Sequence, residues 1–133
     1  MILLDTHALL WMDRDDPTIG PAARSLIEQH WVRGEVAVSA ISLWECAMLA
    51  QRGRISLPCT VETWRADLLA AGLVEVPLDG RIAVLAAGLE NLHRDPADRF
   101  IAATALHKDA VLVTADEKLL GWNSGLRRID ARD

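Results

Sequence analysis

The sequence predicts a three-layer α/β/α sandwich, a central and mainly parallel sheet of about five strands with helices on both faces. Short runs of Val, Ile and Leu alternate along the chain with longer segments of helical periodicity. The runs are continuously apolar, the pattern of strands covered on both faces. The segments between them are long enough for helical crossovers, and right-handed crossovers place helices on both sides of the sheet. At 133 residues, residues 1–133 read as one domain. Such a chain buries roughly two-thirds of its unfolded surface and needs no disulfide or metal merely to hold together.

Each element follows from local signals. Ile2 to Leu4 is a short buried strand, and Thr6 to Met12 reads as a helix ending before the polar run Asp13 to Pro17. Pro21 is well placed at a first helical position, and Gly34 ends that helix. Val36 to Val38 is the second strand, and Ser39 to Arg52 a helix with Gly53 suited to its end. After Leu57-Pro58, a helix over Thr60 to Ala71 closes on Gly72, and Leu73 to Val76 is the third strand. Asp79 opens a helix to about Leu92, and Pro96 to Lys108 forms another. Val111 to Val113 is the fourth strand, Ala115 to Leu120 a short helix, and Leu126 to Ile129 an edge strand.

Composition narrows the function. Apolar residues make up 51% and charged residues 25%, which excludes a disordered chain. The longest apolar run, Ile82 to Leu89, contains Gly88 and falls short of the ~18 residues a membrane span needs. No basic, apolar-cored leader opens the chain, so no secretory signal is expected. Cys46 and Cys59 form no CxxC and no zinc pattern with His7, His30, His93 or His107. Unpatterned thiols fit a reducing cytoplasm, and both read as small buried side chains. Nineteen acids against 14 bases give a net charge of −5, which by itself counts against a nucleic-acid partner. The placement of those acids matters more than their number.

In a parallel sheet, ligands bind beyond the carboxyl ends of the strands. Asp5 follows the first strand directly, Glu45 lies within two helical turns of the second, and Asp116 stands three residues beyond Val113. Asp98, in the first turn of the helix leading into the fourth strand, joins them if that helix starts at the same edge. Each has a simpler reading as a cap. Asp5 can cap the first helix, Ser42 to Glu45 and Thr114 to Glu117 have capping-box form, and Asp95 precedes Pro96. The apolar context argues beyond capping. Asp5 sits between Leu4 and an apolar helix, and Glu45 sits between Trp44 and Cys46 on a helix read as mostly buried. Carboxylates converging in an apolar setting without basic partners repel and resist ionisation. A hard divalent cation with oxygen ligands resolves that conflict, and Mg²⁺ or Mn²⁺ suits it.

The residues carry a family resemblance. Met1 to Trp11 (MILLDTHALLW), Ser39 to Glu45 (SAISLWE), Gly53 to Pro58, His93 to Ala105 (HRDPADRFIAATA) and Leu112 to Asp116 (LVTAD) together resemble a PIN-domain ribonuclease of the VapC toxin type. The resemblance implies a metal-dependent endoribonuclease, the toxin of a toxin–antitoxin pair. It implies four acidic positions at Asp5, Glu45, Asp98 and Asp116, acting as catalytic and metal-binding groups. It places supporting hydroxyls at Thr6 and Thr114, and makes Asp95 an additional supporting acid or an alternative ligand. The expected cofactor is Mg²⁺, with Mn²⁺ as substitute, as one or two ions. Arg99 and Arg94 are candidate contacts to substrate phosphate, with a structural ion pair as the competing role for Arg99. His7 and His93 read as helix-turn or surface residues. The implied partners are an RNA substrate, a second copy of the chain, and a cognate antitoxin that lies along a groove of the early helices and blocks the acidic pocket. No membrane contact is expected, and no helix-turn-helix or basic arm points to direct DNA binding.

Two other classes compete. A non-catalytic binding module would use the acids as caps; the five tryptophans favour it, although Trp11 and Trp44 follow apolar helical patterns and read as core. A receiver-type phosphoacceptor domain would use Asp79 as acceptor, but it needs an acid pair after the first strand and a lysine after the fifth. Asp5 stands alone, and both lysines, Lys108 and Lys118, precede the fifth strand.

Overall fold

The computed structural model describes residues 1–133. Five strands form one sheet: β1 (Ile2–Leu4), β2 (Val36–Ser39), β3 (Val74–Val76), β4 (Val111–Thr114) and β5 (Arg128–Asp130). Their order is β3-β2-β1-β4-β5, and every pairing is parallel. Seven helices surround it: α1 (Thr6–Asp13), α2 (Pro21–Trp31), α3 (Ala40–Gln51), α4 (Val61–Ala71), α5 (Gly80–Gly88), α6 (Pro96–His107) and α7 (Glu117–Leu120). The three-layer α/β/α architecture expected from the sequence is the one observed.

Side chains alternate across the sheet and fill two cores. Ile2, Leu4, Val36, Val38 and Val113 point to the face covered by α1, α2 and α4. Leu3, Ala37 and Leu112 point to the face covered by α5 and α6. Burial on both faces explains why these strands are apolar without alternation. The chain runs outward from β1 to β3, crosses the sheet through α5 and α6, and re-enters as β4 on the other side of β1. Strand order therefore reverses at β1, and the crevice of such a fold opens at the carboxyl ends of β1 and its neighbours. A receiver-type sheet runs 2-1-3-4-5. Here β3 lies at the edge and Asp79 caps α5 through the backbone N–H of Ile82 at 2.9 Å, which removes the phosphoacceptor reading.

Several local expectations shift. The fifth helix ends at Gly88 instead of Leu92, because Arg99 takes up the carbonyls of Ala86, Ala87 and Leu89 that a longer helix would have used. The last strand starts at Arg128, while Leu126 is buried against the α5/α6 face. Only Ser42 and Cys46 of α3 are fully buried, one helical turn apart. Trp44 lies between them in sequence and so on the opposite side, 54% exposed, and is not core. Trp11 is half-buried, and Cys59 is exposed instead of buried. Cys46 is buried, and burial pushes its thiol up to about 12, which leaves it an inert core residue.

Candidate functional site

Asp5 is the pivot of the crevice. It is the residue after β1 and the N-cap of α1, accepting from the Ala8 N–H through Oδ1 at 2.9 Å. Its Oδ2 accepts from the hydroxyl of Thr114, the last residue of β4. Thr114 also accepts from the backbone N–H of Asp116 at 3.0 Å. One buried hydroxyl thus ties the ends of two adjacent strands and two acids together. Asp116 caps α7, with Oδ1 accepting from Lys118 and Leu119. The capping-box pattern read at Thr114 gives way to this arrangement, because Thr114 is still in the strand and Asp116 is the cap.

Glu45 is held from the other side. The Thr6 hydroxyl donates to its Oε1 and lies 3.1 Å from the hydroxyl of Ser42. The capping-box pattern at Ser42 gives way too, because α3 starts at Ala40 and Ser39 is its cap, accepting from the Ile41 N–H at 3.2 Å. Glu45 is consequently a mid-helix side chain directed at Thr6. Asp98 stands in the first turn of α6, whose N-terminus is capped by Asp95 through the Ala97 N–H at 3.0 Å. One oxygen on each of Glu45, Asp95, Asp98 and Asp116 has no hydrogen-bond partner in the protein.

These groups converge. A cavity of about 260 Å³ is lined by Asp5, Glu45, Asp95, Asp98 and Asp116, with Thr6, His7, Trp11, Ile101 and Ala115 completing the wall. No lysine or arginine lines it. Burial holds the Asp5 carboxyl above the usual carboxylate range against the opposing pull of its Thr114 and Ala8 bonds. Glu45 is raised by burial and by the charges of Asp98 and Asp95, and Asp98 by burial and by those of Asp116 and Asp95. The carboxylates offer hard oxygen donors, pre-assembled and short of positive charge. That is the environment a divalent cation such as Mg²⁺ or Mn²⁺ completes.

All four acids anticipated from the sequence line the cavity, and Asp95 joins them. Arg99 does not. Its guanidinium donates to five backbone carbonyls, those of Ala86, Ala87, Leu89, Leu92 and His93, at 2.7–3.3 Å. It is neither a phosphate contact nor an ion-pair partner, because its donors are consumed by the end of α5 and the following turn. Arg94 is exposed on that turn and lies outside the acidic cavity. Two site residues were missed from sequence, His7, which lines the cavity, and the more closely engaged His93. His93 Nε2 is 2.7 Å from Asp98 Oδ2, and ligand atoms of His93, Asp95 and Asp98 lie within 4.8 Å of one another. The available signal was the turn itself. Asp95-Pro96 starts a helix and folds the preceding residues back over its first turn, where Asp98 sits.

Comparison with known proteins places the chain in a family. A family model described as PIN domain matches residues 2–121. Ribonuclease VapC22 of Mycobacterium tuberculosis (strain ATCC 25618 / H37Rv) is 37% identical over 119 residues, 89% of this chain and 88% of that protein. Among solved structures, VapBC2 from Rickettsia felis, bound to a DNA fragment from its promoter, superposes with a TM-score of 0.71 at 18% identity, covering 97% of this chain and 98% of that one. A toxin–antitoxin complex from Klebsiella pneumoniae gives 0.66 at 17% identity, covering 98% of each chain. With the family model spanning nearly its whole length and a relative of this identity covering most of it, the chain belongs to the PIN-domain family.

Proposed function

We propose that this chain is a metal-dependent endoribonuclease, a single nuclease domain acting as the toxin of a toxin–antitoxin pair. The observation that carries the reading is the convergence of five carboxylates in one cavity with no lysine or arginine beside them. The ribonuclease relative and the toxin–antitoxin complexes among the structural neighbours support it. Asp5, Asp98, Asp116 and Glu45 would hold the cation, directly or through water, and Asp95 stands ready as a further oxygen donor. A divalent cation there supplies positive charge to the phosphodiester and makes bound water more acidic. The protein's part is orientation. Thr114 fixes Asp5 and Asp116, and Thr6 fixes Glu45. With the cation bound, the concentrated negative charge that would repel RNA is offset, so the net charge of −5 describes the metal-free protein and is no bar to an RNA substrate.

An apolar groove of about 450 Å³ between α1, α2 and α4, lined by Met12, Ile27, Trp31, Val32, Leu68 and Ala71, suits the apolar face of an antitoxin segment. Exposed Trp44 on α3 and Val84 on α5 offer apolar contact to a second copy. No helix of the structure is long and apolar enough to cross a membrane, and the free thiols match action in the cytoplasm.

Cleavage of RNA by the purified protein with Mg²⁺ or Mn²⁺, compared with Asp98→Asn, tests the reading. Asp98→Asn is expected to lose cleavage and any growth arrest while remaining folded. Cleavage at the parental rate by that variant would refute the assignment.

A further inference from the structure

Arg99 and His93 stand outside the cation-binding acids, yet both are connected to Asp98. The turn between α5 and α6 carries His93 and is held at three places. Arg99 Nη1 donates to the carbonyls of Leu92 and His93 at 2.9 and 3.3 Å. Its other donors bind the end of α5, and the Trp122 indole N–H donates to the carbonyl of Glu90 at 2.8 Å. Asn91, within this turn, adopts a left-handed φ of 61°, a conformation that asparagine tolerates better than most residues.

The His93 ring has only one polar anchor of its own. Nε2 meets Asp98, while Nδ1 is buried with no partner. In many metal sites a histidine is fixed by a second hydrogen bond from its other nitrogen. Here that bond is missing, so the ring's position depends on the backbone that carries it, and that backbone is held by Arg99. The neighbouring residues Asp98 and Arg99 thus project from one helix turn to opposite tasks. One faces the acidic cavity, and the other grips the turn whose histidine returns to the first.

We propose that Arg99 and His93 form a positioning chain that fixes the rotamer of the Asp98 carboxylate, leaving its Oδ1 directed at the cation site. This rests on the metal-dependent reading of the acidic pocket. A planar guanidinium with five donors in fixed geometry suits a cluster of carbonyls in a way an ammonium cannot, so Arg99→Lys is a disruptive change at constant charge. Likewise His93→Gln keeps a donor on a side chain able to reach Asp98, whereas His93→Ala leaves Asp98 without its partner.

The test measures Mn²⁺ binding to the intact protein, from the free-ion EPR signal, for the parent, His93→Ala, His93→Gln and Arg99→Lys. Loss of an outer partner typically weakens metal affinity by ~10–100-fold. His93→Ala should fall in that range, Arg99→Lys should weaken binding in the same direction, and His93→Gln should recover most of the parental affinity. In the metal-free parent, the His93 Nε2 proton should appear in NMR as a downfield, slowly exchanging resonance, and Arg99→Lys should broaden or remove it. Parental Mn²⁺ affinity in His93→Ala would overturn the proposal, as would an Arg99→Lys spectrum with that resonance intact. Imidazole nitrogen coupling to bound Mn²⁺ in pulsed EPR would also overturn it by making His93 a ligand. Failure of the folded parent to bind Mn²⁺ would refute the metal reading itself. The metal-free resonance would still report whether Arg99 holds His93 on Asp98, so the two failures are distinguishable.

Discussion

Thr114 hydrogen-bonds Asp5 across 109 positions of sequence, joining the end of β4 to the residue that follows β1. The bond exists because β1 and β4 are parallel neighbours in register, Leu4 opposite Val113, so the next residues, Asp5 just past β1 and Thr114 at the end of β4, share an edge. It connects the sheet's topology to the chemistry of the pocket. A buried carboxylate needs donors, and the adjacent strand supplies one.

Replacing Thr114 with Val keeps the shape and removes the donor. Asp5 then keeps only the Ala8 N–H, and the backbone N–H of Asp116 loses its acceptor. An unsatisfied buried polar group costs about 1–3 kcal/mol, so Thr114→Val should be destabilised in urea by that order, and Thr114→Ser much less. The same variant should need more Mn²⁺ for half-maximal RNA cleavage.

The burial of Asp5 predicts a stability–function conflict at a single residue. The metal-free protein holds this carboxyl above its usual range through desolvation. Asp5→Asn can still cap α1 and carries no charge to desolvate. Its melting temperature without metal at neutral pH should equal or exceed the parent's by a few degrees, while Mn²⁺ should no longer raise it. A variant that melts lower and still responds to Mn²⁺ would show that Asp5 serves only as a cap.

The pH dependence follows from Asp5, Glu45 and Asp98, all raised chiefly by burial. A folded carboxyl above its unfolded value binds protons that the unfolded chain has already released. These three groups therefore favour the folded metal-free state at low pH, and that contribution is lost as pH rises from the ordinary carboxylate range through their raised folded values. A divalent cation acts in the opposite sense, since it binds the ionised acids and displaces protons. The Mn²⁺-induced increase in melting temperature should therefore grow as pH rises from the ordinary carboxylate range through the raised values of these acids. An increment independent of pH would place the ion on other groups.

Gly20 makes a prediction far from the site. A Cβ at this position would come within 2.1 Å of the backbone oxygen of Asp133. Gly20 donates its N–H to Ala131 at 2.9 Å, and Ala23 donates to Asp133 at 3.0 Å. The segment after β5 is thereby laid across the start of α2, and backbone cannot yield as a flexible side chain can. Gly20→Ala should destabilise by about 1–3 kcal/mol, the usual cost of overpacking, read from chemical denaturation, without abolishing Mn²⁺ binding.

The sequence by itself determined the layers and the order of elements, because strand burial on two faces and helical periodicity are local patterns. Ile2 to Leu4, Val36 to Val38 and Val111 to Val113 read directly as buried strands for that reason. It also marked Asp5, Glu45 and Asp116 by their places after strands and Asp98 by its helix turn, and the resemblance to PIN-domain ribonucleases singled out those four. Tertiary structure alone decided how those acids are held. The strand order that sets Thr114 beside Asp5 is a non-local choice, as is the packing of α1 on α3 that brings Thr6 to Glu45. The same applies to Arg99. Beside Asp98 in sequence it reads as a phosphate contact or an ion-pair partner, yet the turn after α5 offers it five carbonyls. Trp44 reads as core from its apolar neighbours, but helix phase turned it outward. Side-chain roles that depend on which surfaces meet are set by long-range packing, and a single sequence encodes that packing without displaying it.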